Sequence, residues 1–147
     1  MCLETNVLQN IEIRHVESWN VDEIADLYRA GGWWKEEWDP EGIRPLITGS
    51  LVFAVAIDDK TSRTVGMGRL ISDGVSDGYI QDLVVHPQYR KCGVGSRLVS
   101  LLVAEGKARG LGWIGLIAEP GSEHFYRSLG FQPMQGHIPM IYKGGDC

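Results

Sequence analysis

Apolar and polar residues alternate from Ile11 to Val16, the period-two pattern of a half-buried strand. After Asn20, the residues Val21, Ile24, Leu27 and Tyr28 recur at helical spacing, and Gly31-Gly32 ends the run. Asn20 stands three residues before Glu23, the spacing of an N-terminal cap. WWKEEWDPEG has no period; Pro40 opens a short helical stretch through Leu46, which Pro45 limits. Leu51 to Ile57 is apolar throughout, as in a central strand covered on both faces. Turn residues at 58–63 and 73–78 separate it from two further strands, Val65 to Ser72 and Tyr79 to Val85. In the latter, parity puts Tyr79 and Gln81 on the inward face and Asp82 on the other. Such short connections predict an antiparallel meander. Val94, Leu98, Leu101, Leu102 and Glu105 mark a helix to about Ala108, with Gly110 near its C-terminal end. Trp113 to Ala118 reads as a buried strand, Ser122 to Leu129 as a short helix stopped by Gly130, and Ile138 to Lys143 as a last strand. The strand–helix–strand unit from 79 to 118 must cross over right-handed, with its strands parallel. The pattern predicts an α/β fold with a mixed sheet.

Composition narrows this reading. The 147 residues suit a single domain, 1–147, with no internal repeat or linker. A chain of this length buries roughly 68–70% of its unfolded surface and folds without metal or disulfide support. The net charge of −5 gives no electrostatic reason to bind nucleic acid or an anionic membrane. No apolar run approaches the roughly 20 residues of a membrane span. MCLETNVLQN lacks the basic cluster and apolar block of a secretory signal, so a cytoplasmic location is expected. Cys2, Cys92 and Cys147 do not make a disulfide framework, and free thiols are expected. No metal site is expected either, because neither C-x-x-C nor H-x-x-x-H occurs.

The chemistry concentrates in DLVVHPQYRKCGVGSRL, where a strand ends, Pro87 turns the chain and glycines open a helix. Unpaired N–H groups and the positive end of the helix dipole favour an anion there. Gly93 and Gly95 let that anion approach the backbone, as a phosphate cradle requires. The stretch is not a Walker A loop, since no G-K-[ST] follows at the required spacing. Nor is it a dinucleotide fingerprint, since Leu98 stands where the third glycine belongs. On its own, Arg90-x-x-Gly93-x-Gly95 is also compatible with an ordinary strand–helix turn.

Two motifs in order make the pattern specific. Leu83-Val84-Val85-His86-Pro87 runs into Arg90-Lys91-Cys92-Gly93-Val94-Gly95, and Phe125-Tyr126-Arg127-Ser128-Leu129-Gly130-Phe131 follows downstream. Together they resemble the GNAT superfamily of acetyl-CoA-dependent N-acetyltransferases. The resemblance extends from Ile11 over nearly the whole chain, and the segment from Leu27-Tyr28 to Gly32-Trp33 looks like that of small bacterial members. It implies a GNAT-like mixed, splayed central sheet flanked by helices. It also implies acetyl transfer from acetyl-CoA, used as co-substrate, to a primary amine by direct attack in a ternary complex. Leu83, Val84 and Val85 would pair with the pantetheine arm by strand addition. Arg90, Lys91, Cys92, Gly93, Val94, Gly95 and Ser96 would surround the pyrophosphate. Tyr126 aligns with the tyrosine that protonates the departing thiolate, although without the motif it reads equally well as a packed helix aromatic. Glu119 replaces an asparagine found in many members. The general base stays open among Glu119, Tyr79 and a water chain, with His124 the best placed of four otherwise surface or capping histidines. A nucleophilic Cys92 is conceivable at a helix start, but the resemblance points that residue at phosphates.

Charge is unevenly spread. From Glu17 to Glu41 there are eight acids against two bases, a net of −6, together with four of the five tryptophans. From His86 to Arg109 there are five bases against one acid, a net of +4. The acidic, indole-rich stretch suits a small cationic or aromatic amine, with Trp33, Trp34, Glu36, Glu37 and Gln81 as candidate acceptor contacts. A solvated acidic helix beside core tryptophans would look the same. Acetylation of a protein N-terminus or lysine, and a non-catalytic CoA-binding sensor, are the competing functions. The last strand would pair across a homodimer if it follows relatives.

Overall fold

The computed structural model describes residues 10–145. They form two compact units, one ending at Leu116 and one beginning at Ile117.

The first unit is a five-stranded mixed sheet in the order β1-β2-β3-β4-β5. Its strands are β1 (Ile11–His15), β2 (Val52–Asp58), β3 (Arg63–Ile71), β4 (Asp77–Val85) and β5 (Trp113–Gly115). The first four are antiparallel neighbours, and β4 pairs parallel with β5. Between β1 and β2 lie α1 (Val21–Ala30), a 3-10 turn (Pro40–Gly42) and α2 (Ile43–Gly49); α3 (Val94–Ala108) joins β4 to β5. The expected meander and parallel crossover are therefore present.

Local chemistry explains the element ends. Asn20 caps α1 by accepting from the N–H groups of Asp22 and Glu23, both at 3.0 Å. Asp22 and Glu23 add negative charge where the helix dipole is positive. Pro45 is tolerated because it lies in the first turn of α2, where its missing N–H has no intrahelical partner anyway.

The sheet is covered on both faces. Phe53, Val55, Ile57, Met67 and Val84 pack with Ile24, Leu27, Tyr28, Ile43 and Ile47 of α1 and α2. On the other face, Leu98 and Leu102 of α3 are fully buried. This helix comes unusually close to β3. A side chain at Gly66 would meet Leu98 Cδ1 at 3.1 Å and the Val84 carbonyl oxygen at 3.2 Å.

The second unit holds α4 (Glu123–Ser128). Two expectations need correction. The strand expected from Trp113 to Ala118 stops at Gly115, because β4 offers it partners only from Asp77 to Tyr79. The last strand expected from Ile138 to Lys143 is irregular chain. Pro139 removes one ladder donor there, and Met140 is 90% exposed.

Replacing Gly66 by Val is expected to destabilise the protein by about 1–3 kcal/mol through overpacking. The measurement is urea unfolding; an unchanged midpoint would show that α3 has room to move.

Candidate functional site

Strand β4 carries the site. It pairs with β5 over three residues only, ending at Tyr79 opposite Gly115. From Ile80 to Val85 no described strand pairs with β4 on that side. Its other edge stays on β3, but the register slips between Met67 and Arg69. Arg69 lies opposite Gln81 and Met67 opposite Val84, so Asp82 and Leu83 together face one β3 residue, a β-bulge.

The bulge changes which backbone groups are free. Leu70 accepts from Leu51 and therefore turns toward β2, so Arg69 turns toward β4 and Gln81 bonds back to it. Beyond the bulge, His86 donates to the Val65 carbonyl at 2.7 Å, which sets Val84 against β3 and turns Leu83 and Val85 to the open edge. Leu83 and Val85 thus present backbone groups for strand addition. Val84 turns its backbone to β3 and its side chain into the core. The Val85 carbonyl already accepts from Arg90 Nε at 2.9 Å.

The glycine turn follows. Pro87–Tyr89 is a short 3-10 turn; Tyr89 donates to buried Asp58 at 2.5 Å and fastens the turn to the end of β2. His86 caps that turn. Burial, with the cations of Arg63 and Arg90, holds its imidazole below the ordinary histidine value. Lys91 at φ 61° and Gly93 at φ 85° both take the left-handed conformation. Such alternation curls backbone N–H groups into a concavity. Arg97 donates the first helical bond, to Gly93, and no side chain caps the start of α3. Among the described residues nothing accepts from the N–H groups of Val94, Gly95 and Ser96, the arrangement an anion site requires. Val94 and Cys92 are buried, whereas Lys91 and Gly93 are exposed. Cys92 is disulfide-bonded, which corrects the expected free thiol and removes it as a nucleophile.

On the α1 face lies an aromatic and polar cluster. Tyr28 meets Trp33 and Trp34 with ring centres 6.3 and 6.5 Å apart, and Trp34 meets Trp38 at 5.6 Å. The Trp34 indole N–H is buried and has no partner among the described residues. Gln81 is exposed beside Arg69. Tyr79, at the last β4–β5 pair, packs against Trp113 with ring centres 5.0 Å apart and planes tilted by 59°. Glu36 is bound by Arg29 at 2.9 Å, a bond that lowers its carboxyl below the usual range. Arg29 also lies 5.5 Å over the Trp34 ring, so the guanidinium bridges that ring and Glu36. Glu37 is exposed.

A network that the sequence reading missed joins this cluster to β4. Tyr28 donates to Asp82 Oδ2 at 2.7 Å, and Arg69 Nε donates to the same oxygen at 2.7 Å. Strict alternation puts Asp82 on the opposite face from Gln81, and that expectation is wrong because the bulge turns both toward α1. Asp82 has φ 57°, in the left-handed region that aspartate tolerates better than most non-glycine residues. Burial, strengthened by the Asp82 carboxylate, pushes the Tyr28 phenol well up, so it stays protonated. Arg69 and Asp82, opposite charges on neighbouring strands, were the available signal for the ion pair.

In the second unit, the Tyr126 ring packs edge-on to Phe125 at 4.9 Å and Phe131 at 5.9 Å. Burial first, and then the Glu119 carboxylate, raise its phenol above the ordinary value. The Glu119 carbonyl accepts from the Ser122 hydroxyl at 2.6 Å. Among the described residues no group of His, Cys, Asp and Glu is placed to hold a metal, and no helix is long and apolar enough to cross a membrane.

Comparison with known proteins fits this geometry. Residues 49–133 match the family described as acetyltransferase (GNAT) domain. GCN5-related N-acetyltransferase 1, chloroplastic, of Arabidopsis thaliana is 30% identical over 118 residues, 80% of this chain but only 59% of that longer protein. Serotonin N-acetyltransferase 2, chloroplastic, of Oryza sativa subsp. japonica is 39% identical over 69 residues, 47% of this chain and 34% of that protein. The solved structure of a GNAT family acetyltransferase from Streptococcus pneumoniae matches with a TM-score of 0.78 at 30% identity, over 92% of this chain and 99% of that one. With the family match over more than half of the chain, these relatives, and a bulged β4 leading into a glycine turn at the start of α3, the chain belongs to the GNAT family of acetyltransferases.

Proposed function

We propose that the protein transfers acetyl from acetyl-CoA to the primary amine of a small aromatic compound. The open edge at Leu83 and Val85, leading directly into the uncapped start of α3, carries the acetyl-CoA half of this reading. The pantetheine amides pair with β4 as an added strand, and the pyrophosphate sits on the N–H groups of Val94, Gly95 and Ser96. Lys91 and Arg90 add positive charge beside it.

The reaction then follows from bond changes. The neutral amine attacks the thioester carbonyl carbon and a C–N bond forms. Negative charge moves to the carbonyl oxygen, which accepts a hydrogen bond donated by the Leu83 N–H. Collapse breaks the C–S bond. The thiolate takes the Tyr126 proton, and the nitrogen loses its surplus proton to a base or water chain. A raised phenol value suits Tyr126 to hold its proton at neutral pH.

The Tyr28, Trp33 and Trp34 wall supports an aromatic acceptor. The name of the rice relative points to the same class, an arylalkylamine.

Three outcomes are expected. Gly93→Val forces a side chain into φ 85° and raises the acetyl-CoA Kd at least about tenfold by calorimetry, the effect of losing one charge-assisted bond; an unchanged Kd places the phosphates elsewhere. Tyr126→Phe lowers kcat by about 100-fold or more with little change in acetyl-CoA KM, the usual scale for a lost general acid. Because the Tyr126 value is raised, wild-type kcat falls only as pH rises above the ordinary phenol value of about 10, and the variant lacks that limb. Trp34→Ala raises acceptor KM about tenfold, as expected for losing a stacked ring worth about 1 kcal/mol or more, on a panel of arylalkylamines, polyamines and peptide N-termini. Preference for the peptides, or no acceptor effect, would move the reading to protein acetylation.

A further inference from the structure

The Tyr28–Asp82–Arg69 network has no part in the transfer steps, yet it sits where they are set up. Asp82 is the bulge residue itself, held at φ 57°. Its Oδ2 accepts two hydrogen bonds, each 2.7 Å, from different elements: the Tyr28 phenol of α1 and the Arg69 guanidinium of β3. The pair is largely covered, with side-chain exposures of 17% for Arg69 and 24% for Asp82. A charge in such a place is unfavourable without partners, so the carboxylate is strongly tied to this geometry. Leu83 follows directly in the chain, and its orientation depends on the extra residue before it.

We propose that Tyr28, Asp82 and Arg69 are positioning residues that lock the β4 bulge and thereby aim the Leu83 and Val85 backbone at acetyl-CoA. The two donors clamp one oxygen from two different elements, fixing the Asp82 side chain and with it the left-handed backbone. Without the clamp, β4 relaxes toward regular alternation. A regular register would place Asp82 and Val84 at the open edge and set Leu83 against β3. Tyr28 also forms part of the aromatic wall with Trp33 and Trp34, so the same ring links that wall to the acetyl edge.

The inference rests on the acetyl-CoA reading for its functional consequence only, and the test separates the two. Tyr28→Phe removes one hydroxyl and keeps the ring. Asp82→Asn keeps a residue that tolerates the left-handed region and removes the charge. Arg69→Lys retains a cation. Amide exchange is followed at Gln81 and Val84, the ladder residues flanking the bulge, with Leu98 to Leu102 of α3 as the reference. Tyr28→Phe and Asp82→Asn are each expected to speed exchange at Gln81 and Val84 about tenfold or more, the scale of losing a hydrogen bond to a charged group. The α3 amides should not change. The double variant is expected to be no faster than the faster single variant, since both break one network. Arg69→Lys should lie between wild type and Asp82→Asn. Calorimetry should show acetyl-CoA binding weakened in step with exchange. Unchanged exchange at Gln81 and Val84, equal acceleration in α3, or additive effects would overturn the lock. Failure of wild-type protein to bind acetyl-CoA would instead overturn the proposed function, while the exchange data still judge the lock.

Discussion

A strand in a sheet turns alternate backbone groups to its two neighbours, so a regular β4 would fix which amides reach its open edge. The extra residue at Asp82 breaks that alternation. Ahead of it, Gly78 lies opposite Ile114 of β5 and Ile80 begins the unpaired edge; past it, Leu83 and Val85 take the outward role. Both the open edge and the approach to the glycine turn depend on this one-residue offset. The side chains shift with it: Leu83 lies close to Gly68 on the α3 side, while Val84 joins the α1 core.

The rest of the first unit holds the offset in place. Packing of α1 and α2 on one face, and close approach of α3 at Gly66 on the other, leave β3 little freedom to slide. Asp58 and Tyr89 fasten the turn that follows β4 to the end of β2. The free N–H groups at the start of α3 therefore lie beyond a strand end whose position is set by packing. Such preorganisation lets a bound substrate meet hydrogen-bonding groups without first ordering them.

Elements governed by local pattern were legible in the sequence. The Val94–Ala108 helix follows from its apolar spacing, and the Asn20 cap from side-chain chemistry. The glycine turn was legible because a left-handed residue at the start of a helix favours glycine, and Gly93 takes φ 85° there. Properties set by pairing between strands were not. Nothing local in Gln81-Asp82-Leu83 announces a bulge, so parity puts Asp82 on the wrong face and hides the clamp with Tyr28 and Arg69. Strand length fails for the same reason. The apolar run continues through Leu116 and Ile117, but a strand extends only while a partner runs alongside, and β5 loses its partner after Gly115. Charge shows the same division between composition and structure. The net of −5 averages a basic stretch around the glycine turn with an acidic stretch around α1. In the fold, three of those eight acids sit in exposed ion pairs, Asp26 and Glu36 with Arg29 and Glu41 with Arg44, and most of the stretch's negative charge remains. Beside those pairs, Trp33 and Trp34 pack partly buried against the core residue Tyr28.

The central claim is that the open edge of β4 and the start of α3 form one continuous binding track for acetyl-CoA. A crystal structure of the protein with acetyl-CoA tests it most directly. The account predicts pantetheine amides within hydrogen-bond distance of the Leu83 and Val85 backbone, and pyrophosphate oxygens on the N–H groups of Val94, Gly95 and Ser96. Acetyl-CoA bound elsewhere, with the β4 edge and those N–H groups untouched, would contradict it.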